Sequence, residues 1–198
     1  MKSWKFYKST PYKKCPILAF SRKPALICSG TRVKGPKATI LMSFKIFIHG
    51  LESSDKGTKS VFFKQKYPNM VAPHFRGGLP ERMEKLGEIL SGKTGIRLVG
   101  SSFGGLMGTI FTMGNESRVE KLVLLAPAIN LMAEIDQFQR KISVPVWIYH
   151  GSDDDVIPLG KVEAVARDIF TNLTFQKVED DHFLHRTFKT INWDRLLS

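Results

Sequence analysis

The chain has 198 residues, 42% of them hydrophobic and 24% charged, which is the make-up of an ordinary globular protein with one sizeable core. Its formal net charge of +12 is unevenly placed: residues 1–41 hold ten of the thirty Lys and Arg and none of the eighteen Asp and Glu. The remainder is close to neutral, so the net charge belongs almost wholly to residues 1–41 and says little about the surface of the main domain.

Residues 1–41 also carry Pro11, Pro16, Pro24, Pro36 and both cysteines, Cys15 and Cys28, without a sustained apolar period. They read as a basic, poorly ordered extension, and a folded domain is expected over 42–198. A secretory signal needs an unbroken apolar core, whereas the runs 17–20 and 25–28 are short and split by Ser21-Arg22-Lys23-Pro24. An organelle transit peptide would be richer in Arg and Ser and more regularly amphipathic. Trp4, Phe6, Tyr7 and Tyr12 within a basic tail could serve nucleic acid or an anionic membrane. The plainer reading is an upstream segment that the domain does not use, with no nucleic-acid partner and no stable membrane insertion. No cysteine follows residue 28, so the domain has no disulfide framework and no thiolate metal site, which suits a cytoplasmic location.

The first strand is expected over 44–48, rich in β-branched and aromatic residues and ending at His49-Gly50. A polar loop over 51–57 leads to a short helix over 58–66, closed by Tyr67-Pro68. A short strand over 70–72 and the loop 74–78 precede an amphipathic helix over 79–91, with Met83, Leu86, Ile89 and Leu90 on one face and Gly92 as its stop. Strand 96–99 then turns sharply through small residues into a helix over 103–113. Gly104, Gly105 and Gly108 would weaken that helix in isolation; they let it lie hard against a sheet. Strands follow at 121–125 and 144–149, with a helical stretch near 133–140 between them. A helix over 162–170, a strand over 173–178 and a terminal helix over 184–197 complete the chain. Strand and helix alternate without a repeat, which is the pattern of a parallel sheet covered on both faces.

In such sheets ligands bind at the carboxyl ends of the strands, so the residues just past each strand carry the chemistry. Gly100-x-Ser102-x-Gly104 fits the nucleophile elbow, a strand-to-helix turn too tight for side chains at its flanks, which pushes the Ser102 hydroxyl into the open. The first N–H groups of a helix have no partner within it and can stabilise an oxyanion. Asp153, Asp154 and Asp155 follow strand 144–149, and His182 follows the last strand. A serine hydroxyl is a weak nucleophile until an imidazole takes its proton, and a buried carboxylate must fix that imidazole's tautomer. Alone, the elbow motif also describes a Gly/Ser loop. A serine, an acid and a histidine in this order at three strand ends point to a serine hydrolase.

At these residues the chain resembles the α/β-hydrolase superfamily, in particular its small lidless bacterial esterases. The likeness covers 42–198 and rests on His49-Gly50-Leu51, on 99–105 at the elbow, on His150-Gly151-x-x-Asp154-x-x-Ile157-Pro158 and on Asp181-His182-Phe183. It implies an α/β-hydrolase fold with a mostly parallel sheet of about six strands, helices on both faces and no cap domain. It places the nucleophile at Ser102, the acid at Asp154, the base at His182 and the oxyanion donors at the backbone N–H groups of Leu51 and Phe103. The opening antiparallel strands of larger relatives are missing, and residues 126–143 suffice for one short helix rather than a lid.

The expected activity is hydrolysis of short-chain carboxylic esters through an acyl-serine intermediate, with a small-molecule ester as partner and no cofactor or metal. A thioesterase or small peptidase with the same triad, or a non-catalytic binding protein on the same fold, are the alternatives. The spacing to Ile157-Pro158 favours Asp154 over Asp153 and Asp155. Ser101 is expected to pack or to hydrogen-bond, His185 to lie on the surface, and His49 and His150 to hold turns. Glu52, Ser53 and Ser54 could brace the oxyanion loop, and His74, Phe75 and Arg76 could line the pocket, whose apolar walls would come from Leu51, Phe103, Ile129 and Met132. The sequence leaves the oligomeric state open.

Overall fold

The computed structural model describes residues 43–134 and 140–198; the extension expected over 1–41 and residues 135–139 of the helix expected near 133–140 lie outside the described residues. Strand β1 (Phe44–Ile48) leads through helix α1 (Thr58–Lys66) to β2 (Met70–Val71), α2 (Leu79–Ile89), β3 (Ile96–Ser101) and α3 (Phe103–Gly114). A 3-10 turn (Glu116–Arg118) precedes β4 (Val119–Leu125), and a second 3-10 segment (Ile129–Glu134) precedes β5 (Val146–Gly151). Helix α4 (Leu159–Ile169), β6 (Leu173–Val178) and α5 (Trp193–Leu197) end the chain. Among the described residues, no helix is long and apolar enough to cross a membrane.

The six strands form one sheet in the order β2-β1-β3-β4-β5-β6, and every pairing is parallel. A parallel sheet buries both faces, so its strands are apolar on both. In β4, Leu122 and Leu124 enter one core while Val123 and Leu125 enter the other. The first core takes Leu86 of α2, Leu106 and Met107 of α3, and Val162 and Ala166 of α4; the second takes Phe63 of α1 and Trp193 and Leu196 of α5. The order of the strands explains the division. The chain steps from β1 to β2, then back past β1 to β3, and because parallel crossovers are right-handed, reversing the direction moves the next helix to the opposite face. That reversal makes the carboxyl ends of β1 and β3 the switch point of the sheet, where ligands of open α/β sheets bind.

Helix α3 is pressed onto that point. A Cβ on Gly104 would penetrate the Ile48 carbonyl, and one on Gly100 would come 2.5 Å from the Gly104 carbonyl oxygen. Glycine costs a helix about 1 kcal/mol relative to alanine, but here the approach outweighs propensity. Gly104→Ala is therefore expected to destabilise the protein by about 3 kcal/mol, measured as a lower denaturant midpoint at unchanged slope. A loss below about 1 kcal/mol would mean that α3 can slide away from β1.

Several expected bounds shift in the structure: β3 runs on to Ser101, β4 begins at Val119, α2 ends at Ile89 and α4 begins at Leu159. Two further differences have a local cause. The strand expected from residue 144 begins at Val146: Pro145 has no N–H for a ladder and offers only its carbonyl, which accepts the Leu122 N–H at 3.0 Å. The terminal helix expected over 184–197 is confined to Trp193–Leu197. Ahead of it, the buried Asp180 carboxylate accepts the N–H groups of Arg186 and Thr187 at 3.0 and 2.7 Å, and Leu184 turns to φ +55°. A side-chain acceptor that satisfies those amides competes with the helix carbonyls they would otherwise need. Asn192 then caps α5, accepting the Arg195 N–H at 3.0 Å.

Candidate active site

Ser102 sits between β3 and α3 at φ +52° and ψ −118°. A non-glycine residue there carries strain of the order of 1–3 kcal/mol and persists only where its surroundings over-determine it. Here the Ser102 N–H donates to the Leu125 carbonyl at 2.9 Å, and the Ser102 carbonyl accepts the N–H groups of Gly105 at 2.8 Å and Ala128 at 3.0 Å. Ser102 is left half-buried, while Ser101, the last residue of β3, is buried.

His182 lies in the loop after β6, its Nε2 3.1 Å from Ser102 Oγ and its Nδ1 2.8 Å from Asp154 Oδ2. A carboxylate can only accept, so Nδ1 carries the proton and Nε2 is left to accept from the serine hydroxyl. The Asp154 side chain is fully buried, whereas Asp153 and Asp155 are exposed. Its second oxygen, Oδ1, accepts the N–H groups of Val156 and Ile157 at 3.0 and 2.8 Å. Burial alone would raise the Asp154 carboxyl, but the His182 hydrogen bond, the Ile157 N–H and two neighbouring imidazoles outweigh it and hold the group below its ordinary value. The second imidazole is His150, whose Nε2–H donates to the Ile157 carbonyl at 3.0 Å and lies 3.3 Å from Asp154 Oδ2. Burial lowers its pKa, and its Nε2–H goes to the Ile157 carbonyl rather than to the carboxylate. It ties the Asp154 turn back to the end of β5.

Leu51 follows β1, and Phe103 opens α3 directly after Ser102. Gly50 brings the two strand ends together: a Cβ there would lie 3.3 Å from Ser102 Cβ. The Phe75 N–H donates to His49 Nε2 at 2.9 Å, so the His49 proton is on Nδ1, which donates to the Gly50 carbonyl at 2.7 Å. Burial, the largest influence on His49, lowers its pKa and keeps this arrangement neutral. His74 stacks on His49 with ring centroids 5.5 Å apart, Phe75 is buried in the core, and Arg76 is exposed. Ser54 braces the loop, accepting the Ser60 hydroxyl at its carbonyl (2.7 Å) and the Lys56 N–H at Oγ (3.1 Å), while Glu52 and Ser53 are exposed. Of the expected pocket walls, Phe103, Ile129 and Met132 are buried in the first core and Leu51 packs half-buried against it.

Three supporting residues escape a reading of the sequence. Arg82, only 3% exposed, donates from Nε to the Gly77 carbonyl (2.9 Å), from Nη2 to the Leu51 carbonyl (3.0 Å) and from Nη1 to the Gly50 carbonyl (3.4 Å), and its guanidinium lies 5.6 Å from the Phe103 ring centroid. The buried positions of α2 are Leu79, Arg82 and Leu86, so an arginine within a stripe spaced by three and four was the available signal. Asp180 also accepts the Asp181 N–H at 2.9 Å and so fixes the loop that bears His182; burial would raise its carboxyl, but the Thr187, Asp181 and Arg186 hydrogen bonds hold it low. Lys59 Nζ donates to the Phe183 carbonyl at 2.6 Å, and burial pushes its pKa down to about 8 against the pull of Asp181 and Asp180. No local pattern marks Lys59 or Asp180, because the loop they hold takes its conformation from the tertiary fold. His185 is exposed, with Nδ1 2.6 Å from Asp181 Oδ2.

No protein-family model matches the chain, and no curated protein matches it. Several solved structures do. Alpha/beta hydrolase domain-containing protein 10 from mouse is 16% identical, with a TM-score of 0.63 over 76% of this chain and 89% of that one. Est1E from Butyrivibrio proteoclasticus, bound to ferulic acid, is 15% identical, with a TM-score of 0.63 over 78% of this chain and 86% of that one. An alpha-beta serine hydrolase homologue from Coxiella burnetii is 17% identical, with a TM-score of 0.60 over 88% of this chain and 98% of that one. At such identities the likeness is one of architecture: this chain has the α/β-hydrolase fold.

Proposed function

We propose that the protein is a serine hydrolase that cleaves short-chain carboxylic esters through an acyl-serine intermediate, its working domain spanning residues 42–198. The observation that carries this reading is the continuous hydrogen-bonded line from Ser102 Oγ through His182 to the buried Asp154. In the first half-reaction Ser102 Oγ attacks the ester carbonyl carbon as its proton passes to His182 Nε2. The imidazolium so formed faces the Asp154 carboxylate, and the charge developing on the carbonyl oxygen is met by the N–H groups of Leu51 and Phe103. Collapse of the tetrahedral intermediate breaks the bond to the alcohol oxygen, which takes the proton from His182 and leaves. Water then repeats the sequence: His182 removes its proton, the acyl carbon is attacked, and the acid departs as Ser102 recovers its proton.

The test is labelling by a fluorophosphonate probe, followed by kcat/KM on aryl esters and matched thioesters of increasing acyl length. Residues 126–145 are all that separates β4 from β5, which is too little chain for a cap domain. Each methylene buried in a shallow site adds at most about 0.8 kcal/mol, roughly fourfold in kcat/KM, and gains stop where the acyl chain leaves the protein. The expected outcome is labelling, a maximum at about two to six acyl carbons and no jump in rate at a lipid–water interface. A steady rise to long chains, or activation by micelles, would overturn the short-chain assignment. Faster turnover of thioesters than of matched esters would move the substrate class.

A further inference from the structure

Arg82 occupies a place where α2 would ordinarily bury another leucine. Burying a guanidinium is costly unless its donors are matched, and those of Arg82 reach the carbonyls of Gly77, Gly50 and Leu51. The Gly50 carbonyl belongs to the same peptide plane as the Leu51 N–H, and in a trans peptide the two point in opposite directions. This plane has its carbonyl turned toward Arg82 and His49, so the Leu51 N–H is aimed away from them, in a loop whose Gly50 abuts Ser102. The same guanidinium lies over the ring of Phe103, the other residue assigned an oxyanion donor. A cation on a peptide carbonyl also polarises the group and makes its N–H a stronger donor.

We propose that Arg82 is a positioning residue of the oxyanion hole, pinning the Gly50–Leu51 peptide plane and tying it to the first residue of α3. The proposal rests on the serine-hydrolase reading above. His49 bonds to the same carbonyl, but as a neutral ring already committed to Phe75. Arg82 adds a full charge and a fork that reaches two successive carbonyls. An oxyanion hole acts on charge that develops only in the transition state, so disturbing it lowers kcat and leaves substrate binding nearly intact.

The experiment compares Arg82→Met and Arg82→Lys with the wild-type chain, after circular dichroism and melting have shown that each is folded. On a short aryl ester, Arg82→Met is expected to lower kcat by about 100-fold while KM moves by less than about threefold. The affinity of an alkyl boronic acid, which mimics the tetrahedral state, should fall with kcat. Arg82→Lys keeps the charge but loses the fork and should recover only part of the rate. It also carries the test if Arg82→Met does not fold. Amide hydrogen exchange in a peptide covering 48–56 should be faster in Arg82→Lys than in wild type, a readout that needs no turnover. A folded Arg82 variant with kcat within about threefold of wild type and unchanged exchange at 48–56 would overturn the proposal. A wild-type chain that hydrolyses no ester would sink the proposed function while leaving the exchange measurement to decide on the pin.

Discussion

Ser102→Ala is expected to remove fluorophosphonate labelling altogether and to cut ester turnover by about 10⁴-fold or more. The variant keeps His182, Asp154 and the backbone donors but has no oxygen to form the acyl intermediate; what survives is the slower attack of water on a positioned ester. Stability should hardly change. The strain at φ +52° is a property of the backbone that alanine shares with serine, and the bonds that enforce it run through the Ser102 N–H and carbonyl rather than its hydroxyl. The side chain gives up one hydrogen bond to His182, about 1 kcal/mol, which corresponds to roughly 2–4 °C in a chain of this size. Labelling that persists in Ser102→Ala would remove this residue from the mechanism. A collapse in melting temperature would show that the hydroxyl supports the fold.

The elbow is legible in the sequence because its geometry is a steric demand on single residues. Gly100 and Gly104 mark a place where the Ile48 and Gly104 carbonyls leave no room for a Cβ, and that demand is written locally. Strand β1, helix α1 and strand β6 have the bounds expected of them, since apolar runs and stops such as Tyr67-Pro68 are also local signals. Other features depend on distant partners. The stretch that follows His182, from residue 184, reads as helix, yet Asp180 draws the Arg186 and Thr187 amides into a turn. Arg82 stands as a charge within the three-and-four-spaced stripe of α2, and its role shows only when the carbonyls of Gly50 and Leu51, some thirty residues upstream, are seen to meet it. The three aspartates fall between these cases. Spacing to Ile157 singled out Asp154, and the structure shows a hydrogen bond that such a spacing permits, from the Ile157 N–H to Asp154 Oδ1.

That hydrogen bond shapes the second large effect, expected for Asp154→Asn. The Val156 and Ile157 N–H groups both aim at Oδ1, so an asparagine must place its carbonyl oxygen there and turn its NH₂ toward His182. An NH₂ donates where the carboxylate accepted. His182 Nδ1 must then act as acceptor, its proton moves to Nε2, and Nε2 can no longer take the proton of Ser102. The wrong tautomer should lower kcat by about 10⁴-fold with little change in KM. Asp153→Asn and Asp155→Asn alter exposed side chains and should stay within about threefold of wild type. The same substitution makes a statement about stability. Because the folded-state pKa of Asp154 lies below its unfolded value, the ionised group stabilises the native state above the ordinary carboxylate range, and this contribution is lost as pH falls through the depressed value. Asp154→Asn should therefore melt below wild type at pH 7 and converge with it on acidification, when aspartic acid and asparagine are both neutral. Melting curves at a series of pH values test this: a gap that stays constant down to pH 3 would mean that the charge of Asp154 contributes nothing to the fold, and a kcat profile in which Asp153→Asn or Asp155→Asn is the damaged variant would transfer the acid's role to that residue.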